Sequence, residues 1–147
     1  MNKVWQILRN KGSQVWTISQ DATVLEALKL LAEKQIGSLV VMDGKKVVGI
    51  FSERDHARKG VIIGKQPEVT KIADVMTKDL FTVNPDQSVN ECMALMTERH
   101  IRHLPVFEGD QLVGLISIGD IVKDMIEELE FMVNQLEKYI TGFRGPS

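Results

Sequence analysis

The chain has 147 residues, 44% hydrophobic and 26% charged, which excludes a disordered chain and fits one ordinary domain or two very small units sharing a core. A formal net charge of −2 excludes a molecule that gathers nucleic acid by overall charge, so DNA binding is not expected. No apolar run approaches the roughly 18 residues of a bilayer span, Met1 to Gln6 lacks the apolar core of a signal peptide, and the single cysteine, Cys92, excludes an intrachain disulfide and a cysteine-rich zinc site; a cytoplasmic protein without membrane contact is expected.

In chain order, Val4, Ile7 and Leu8 predict a short amphipathic helix before Gly12, within an N-terminal extension over 1–14. Val15 to Ile18 reads as a strand, and Asp21 and Thr23 as residues that start a helix carrying Val24, Ala27, Leu28 and Leu31 on one face. Leu39 to Met42 and Val47 to Phe51 read as a hairpin around Asp43-Gly44, and a helix begins after Ser52. Gly60 to Thr70, with Gly64 and Pro67, reads as an exposed connection. The series then recurs. Leu80 to Val83 reads as a strand, and Asp86 and Ser88 start a helix with Val89, Cys92, Met93 and Met96 inward. Leu104 to Phe107 and Leu112 to Ile116 flank the turn Glu108-Gly109-Asp110, and a helix follows Ser117. From Ile121 to Thr141 the chain has no Gly or Pro, and Ile121, Met125, Leu129, Met132, Leu136 and Ile140 form a stripe at helical spacing. At roughly 30 Å for 20 residues, that helix outruns a small unit and suggests a contact between subunits.

The recurrence is a repeat. A shift of 65 residues superposes 15–55 on 80–120 without a gap, with 14 identities in 41 positions, among them Thr17/Thr82, Ile36/Ile101, Gly49/Gly114, Ser52/Ser117 and Asp55/Asp120. The fold class is therefore α+β: two β-α-β-β-α units, at 15–72 and 73–128, with an N-terminal helix and a C-terminal helical extension and tail at 129–147. One such unit cannot bury both faces of a three-stranded sheet, so the two are expected to pack together.

Each unit carries Gly-hydrophobic-hydrophobic-Ser-x-x-Asp, as Gly49 to Asp55 and Gly114 to Asp120. Serine with an acid three residues on is a capping-box arrangement, which explains both residues without a ligand. The same geometry suits a nucleotide: a hydroxyl and unpaired N–H groups for phosphate, and a carboxylate able to accept both ribose hydroxyls. Arg54, His56, Arg58 and Lys59 form either a solvated helix face or a phosphate-facing cluster. Cys92, in the repeat place of Ala27, reads as a small core residue, and His100 as a surface residue.

With these strings, the connecting Asp74-Val75-Met76-Thr77 and Arg102-His103-Leu104-Pro105-Val106, the sequence resembles the CBS-domain pair, named for cystathionine β-synthase and also called a Bateman module. The resemblance covers roughly 15–125. It implies two units packed sheet to sheet with pseudo-twofold symmetry and two clefts that commonly bind adenine nucleotides. Carried over by position, it places Ser52, Asp55, Thr82, Ile101, Arg102 and His103 in one cleft, with the aspartate on ribose, Ile101 beside adenine, and Arg102 with His103 on phosphate. Arg54, Arg58 and Lys59 would add phosphate contacts. The other cleft would combine Ser117 and Asp120 with Thr17, Ile36 and Gly37. There Gly37 and Ser38 replace the basic pair, which implies a weaker phosphate site. The expected ligand is AMP, ADP, ATP or NAD, with S-adenosylmethionine less favoured. The sequence offers no nucleophile–base pairing, so a regulatory homodimer acting on a separate protein is expected rather than an enzyme. The alternative is a structural or protein-interaction module with empty or accessory clefts.

Overall fold

Local chemistry sets most of the elements in the computed structural model, which describes residues 2–143; Met1 and the tail at 144–147 lie outside the described residues. Helix α1 spans Val4–Lys11, strand β1 Thr17–Ser19, α2 Val24–Lys34, β2 Ser38–Asp43 and β3 Lys46–Ser52. The short α3, Glu53–His56, runs into a π-helical turn at Ala57–Val61, and a 3-10 turn follows at Ile72–Asp74. The second unit has α4 at Val89–Arg99, β4 at His103–Glu108, β5 at Gln111–Ser117 and α5 at Ile118–Phe143. Thr23 and Ser88 accept from the backbone N–H of Glu26 and Glu91, satisfying otherwise unpaired groups at the starts of α2 and α4. The hairpins turn on Gly44 and Gly109, whose φ values of 61° and 63° belong to the left-handed region that glycine occupies without strain.

In the first sheet, β1 pairs parallel with β2, and β2 antiparallel with β3. The second sheet has only β4 and β5. The strand expected at Leu80 to Val83 is reduced to one parallel bridge, Val83 with Val106. Two prolines account for this. In the first unit the Val40 N–H donates to the Trp16 carbonyl at 3.1 Å, and the Gln20 N–H to the Met42 carbonyl at 3.0 Å. The repeat equivalents of Val40 and Gln20 are Pro105 and Pro85, which have no N–H to give. Only the inner bonds survive, from Val83 N–H to the Pro105 carbonyl and from Phe107 N–H to the Val83 carbonyl.

Two apolar cores result. Val24, Ala27, Leu31, Leu39, Val41 and Phe51 pack with Ile72, Val75 and Met76 in one. Val83, Val89, Cys92, Met96, Leu104, Val106, Ile116 and Ile121 form the other, with Val4, Ile7 and Leu8 of α1 inserted among them. The N-terminal helix, expected as an extension, is thus built into the second unit. It takes the place that 72–76 takes in the first, and the 65-residue shift that relates the units relates Ile7 to Ile72. The opposite face of the first sheet, with Val40 and Ile50, is also buried. No helix among the described residues is long and apolar enough to cross a membrane.

Candidate functional site

Ser52 ends β3 and caps α3, which fixes Asp55 at the floor of a cleft between the units. Asp55 is 8% exposed. Its Oδ2 accepts the Ser52 N–H at 2.9 Å and the Ser52 hydroxyl at 3.1 Å. Its Oδ1 accepts the Thr77 hydroxyl at 2.8 Å and lies 3.4 Å from the Lys59 ammonium. Three hydrogen bonds and the Lys59 contact surround the carboxylate, so a ribose hydroxyl would compete with groups of the same chain to reach it.

The walls of this first cleft, about 210 Å³, carry Arg54, Arg58, Lys59, His100, Ile101, Arg102 and His103, one further carboxylate in Asp79, and Leu80 and Phe81 as apolar surface. Among the described residues Arg54, Arg58 and Arg102 form no ion pair. Arg102, and then Arg58, push the Arg54 guanidinium below its ordinary range, with Asp55 acting in the opposite direction. Three like charges lining one cleft suit an anion of more than one charge.

The second cleft is wider, about 330 Å³, and is lined by Ile36, Gly37, Ser38, Ser117, Asp120, Val15, Trp16 and Lys11. Asp120 and Ser117 repeat the cap, with Ser117 N–H donating to Oδ2 at 2.8 Å and Asp120 N–H to Ser117 Oγ at 3.1 Å. Gly37 and Ser38 stand where the first cleft has its basic pair, and Lys11 reaches in from the end of α1. Its ammonium donates to Asp120 Oδ2 at 2.7 Å and to the Leu115 carbonyl at 2.9 Å. The carboxylate cancels most of that charge.

Of the residues carried over, Ser52, Asp55, Ile101, Arg102 and His103 are gathered in the first cleft and Ile36, Gly37, Ser117 and Asp120 in the second. Thr17 and Thr82 line neither. Side chains alternate along extended chain, and Trp16 with Ile18, and Phe81 with Val83, take the core-packed positions that flank Thr17 and Thr82; Trp16 and Phe81 also reach the cleft linings. His103 lines both clefts, with its Nε2 4.0 Å from where a Cβ on Gly37 would lie. His100 is exposed, as expected, yet stands at the rim of the first cleft, turned there by the left-handed residue that ends α4. Cys92 is fully buried, and burial pushes its thiol up to about 11. No cluster of metal-ligating side chains is present among the described residues.

Two packed units of this topology, with a cleft on each side of their interface, form a tandem pair around two candidate ligand sites. The family model described as "CBS domain" matches residues 8–55 and 72–127, and the chain belongs to the CBS-domain family as a tandem pair. The CBS domain-containing protein CBSX3, mitochondrial, of Arabidopsis thaliana is 37% identical over 136 residues, which cover 89% of this chain and 66% of that protein. A protein with CBS domains from Burkholderia ambifaria MC40-6 superposes with a TM-score of 0.84 at 47% identity, covering 86% of this chain and 95% of that one. The CBS domain pair of protein MJ0100, solved in complex with 5′-methylthioadenosine and S-adenosyl-L-methionine, superposes with a TM-score of 0.76 at 25% identity, over 87% and 98%.

Proposed function

We propose that this CBS pair is a sensor of adenine nucleotides that passes the occupancy of its first cleft to a separate protein, and that it works as a homodimer. The convergence of Arg54, Arg58 and Arg102 on one cleft, with no ion pair engaging them among the described residues, carries the reading, because a multiply charged anion offsets that repulsion. Phe81 and Ile101 supply apolar surface for a base, and Asp55 a ribose acceptor. ATP, ADP, AMP and NAD fit this charge. S-adenosylmethionine, itself a sulfonium cation, fits it poorly, although a pair of similar fold was solved with it. The reading is one of binding, not turnover, and a reducing compartment such as the cytoplasm suits the free Cys92 thiol. A structural module with accessory clefts is the second reading. It is favoured by Asp55 and Asp120 already being held by groups of their own chain.

Titration calorimetry with adenosine, AMP and ATP on the wild type and Arg102→Ala separates the two. Loss of a charge-assisted contact lowers nucleotide affinity roughly 10- to 100-fold and weakens its salt dependence, while adenosine affinity holds. No binding of any of the three overturns the sensor reading. An equal fall for adenosine and ATP makes Arg102 structural.

A further inference from the structure

Helix α5 leaves its own unit less than halfway along. Ile121 and Asp124 are buried and Met125 packs on the second core, but every residue from Leu129 to Gly142 is exposed. A free helix of that length is marginal in water, and this one carries apolar side chains that are left exposed among the described residues. The expected stripe therefore divides: its first members, Ile121 and Met125, serve the unit's own core. A different seam faces outward. Val122, Ile126, Leu129, Val133, Leu136 and Ile140 are 42–59% exposed, and their spacings alternate between four and three residues. That is a heptad pattern, with β-branched Ile126, Val133 and Ile140 in one core position and Val122, Leu129 and Leu136 in the other, the apolar alternation of a coiled-coil seam.

We infer that this seam is a two-stranded coiled coil with α5 of a second copy of the chain, the helices running antiparallel; the inference rests on the homodimer part of the proposed function and not on the nucleotide. Charge sets the direction. Antiparallel layering places Ile126 against Leu136 of the partner subunit and Val133 against Leu129 of the partner subunit. It brings Lys123 beside Glu137 of the partner subunit, twice by symmetry. A parallel pair would set Glu130 and Glu137 beside methionines, with no cation to meet them. The antiparallel cost is Glu130 near its own copy at the twofold axis, one like-charge contact against two attractive ones. The seam from 122 to 140 is about 27 Å long.

Sedimentation equilibrium of the full chain tests this, with circular dichroism to verify that each variant is folded. The wild type is dimeric at micromolar concentration, and Leu129→Glu with Leu136→Glu, both at exposed positions, gives a folded monomer. Lys123→Glu raises the dimer dissociation constant roughly tenfold, and adding Glu137→Lys restores it. A monomeric wild type overturns the homodimer and the seam together. A dimeric Leu129→Glu, Leu136→Glu variant overturns the seam alone and leaves the homodimer standing. Lys123→Glu without effect, or without rescue by Glu137→Lys, overturns the antiparallel direction.

Discussion

Asp55 and Asp120 occupy the same place in the two units but stand in different electrostatic surroundings. Asp55 shares its cleft with Arg54, Arg58 and Arg102, which form no ion pair among the described residues, and lies 3.4 Å from Lys59, whereas Asp120 is tied to Lys11 at 2.7 Å. Asp55→Ala is expected to lower nucleotide affinity roughly 10- to 100-fold, through loss of a charged acceptor, and Asp120→Ala far less. Calorimetry on both variants decides it, and equal losses would reject the ranking of the clefts. Because Asp55 also closes the Ser52 capping box, Asp55→Ala should cost about 1 kcal/mol of stability by urea unfolding, much of which Asp55→Asn retains. Serine and aspartate were legible because one local geometry serves both cap and cleft. Thr17 and Thr82 stand outside both linings, because the alternation of an extended segment shows which residues share a face, not which face meets the cleft. Lys11 lies outside the strongest stretch of the repeat. The signal that would have found it is the shift carried back past residue 15, where Ile7 aligns with Ile72 and α1 becomes part of the second unit.

At the scale of elements, the glycine that opens each Ser-x-x-Asp string marks a close approach, and the two approaches differ in what they meet. A Cβ on Gly114 would lie 2.6 Å from Leu8 Cδ2, the tip of a side chain that can rotate. A Cβ on Gly49 would lie 2.7 Å from Met76 Sδ and 2.8 Å from the Thr77 carbonyl. That carbonyl is fixed by the bridge in which Ile50 N–H donates to it at 3.0 Å and Thr77 N–H returns a bond at 2.8 Å. Gly49→Ala is therefore expected to cost about 1–3 kcal/mol, and Gly114→Ala less. For a chain of this size the larger loss lowers the melting temperature by several degrees. Thermal unfolding followed by circular dichroism checks the order, and a costlier Gly114→Ala would show that Leu8 cannot move. Hairpins and capped helices were legible because turn glycines and N-cap hydroxyls act within four residues. The lost strand at Leu80 to Val83 required seeing that Pro85 and Pro105 delete the same two donors that the first unit uses. The π turn left no sequence mark, since its Ile62 N–H to Ala57 carbonyl bond at 3.3 Å differs from an α-helix by one residue of spacing.

The two units meet at one titratable residue that both clefts share. Burial holds His103 below the ordinary histidine value of 6.5; Lys11 and Arg102 push the same way, while Asp120 and Asp55 oppose them. The folded chain thus binds fewer protons at His103 than the unfolded chain between the depressed value and 6.5. The sign follows: the contribution to stability is complete above pH 6.5 and is lost as pH falls from 6.5 through the depressed value. For one proton the slope cannot exceed about 1.4 kcal/mol per pH unit. Carboxylates add slopes of their own toward lower pH, so the expected result is a difference: His103→Gln loses less stability than the wild type between pH 7 and pH 5.5, measured by urea unfolding in matched salt. Parallel profiles would mean that His103 titrates alike in both states. The same linkage reaches the proposed ligand. A phosphate beside Arg102 favours the charged imidazole, so nucleotide binding below pH 6.5 should take up protons, seen as a calorimetric enthalpy that changes with the buffer's ionisation heat. In His103→Gln that buffer dependence should disappear while binding persists, and its survival would place the proton on another group.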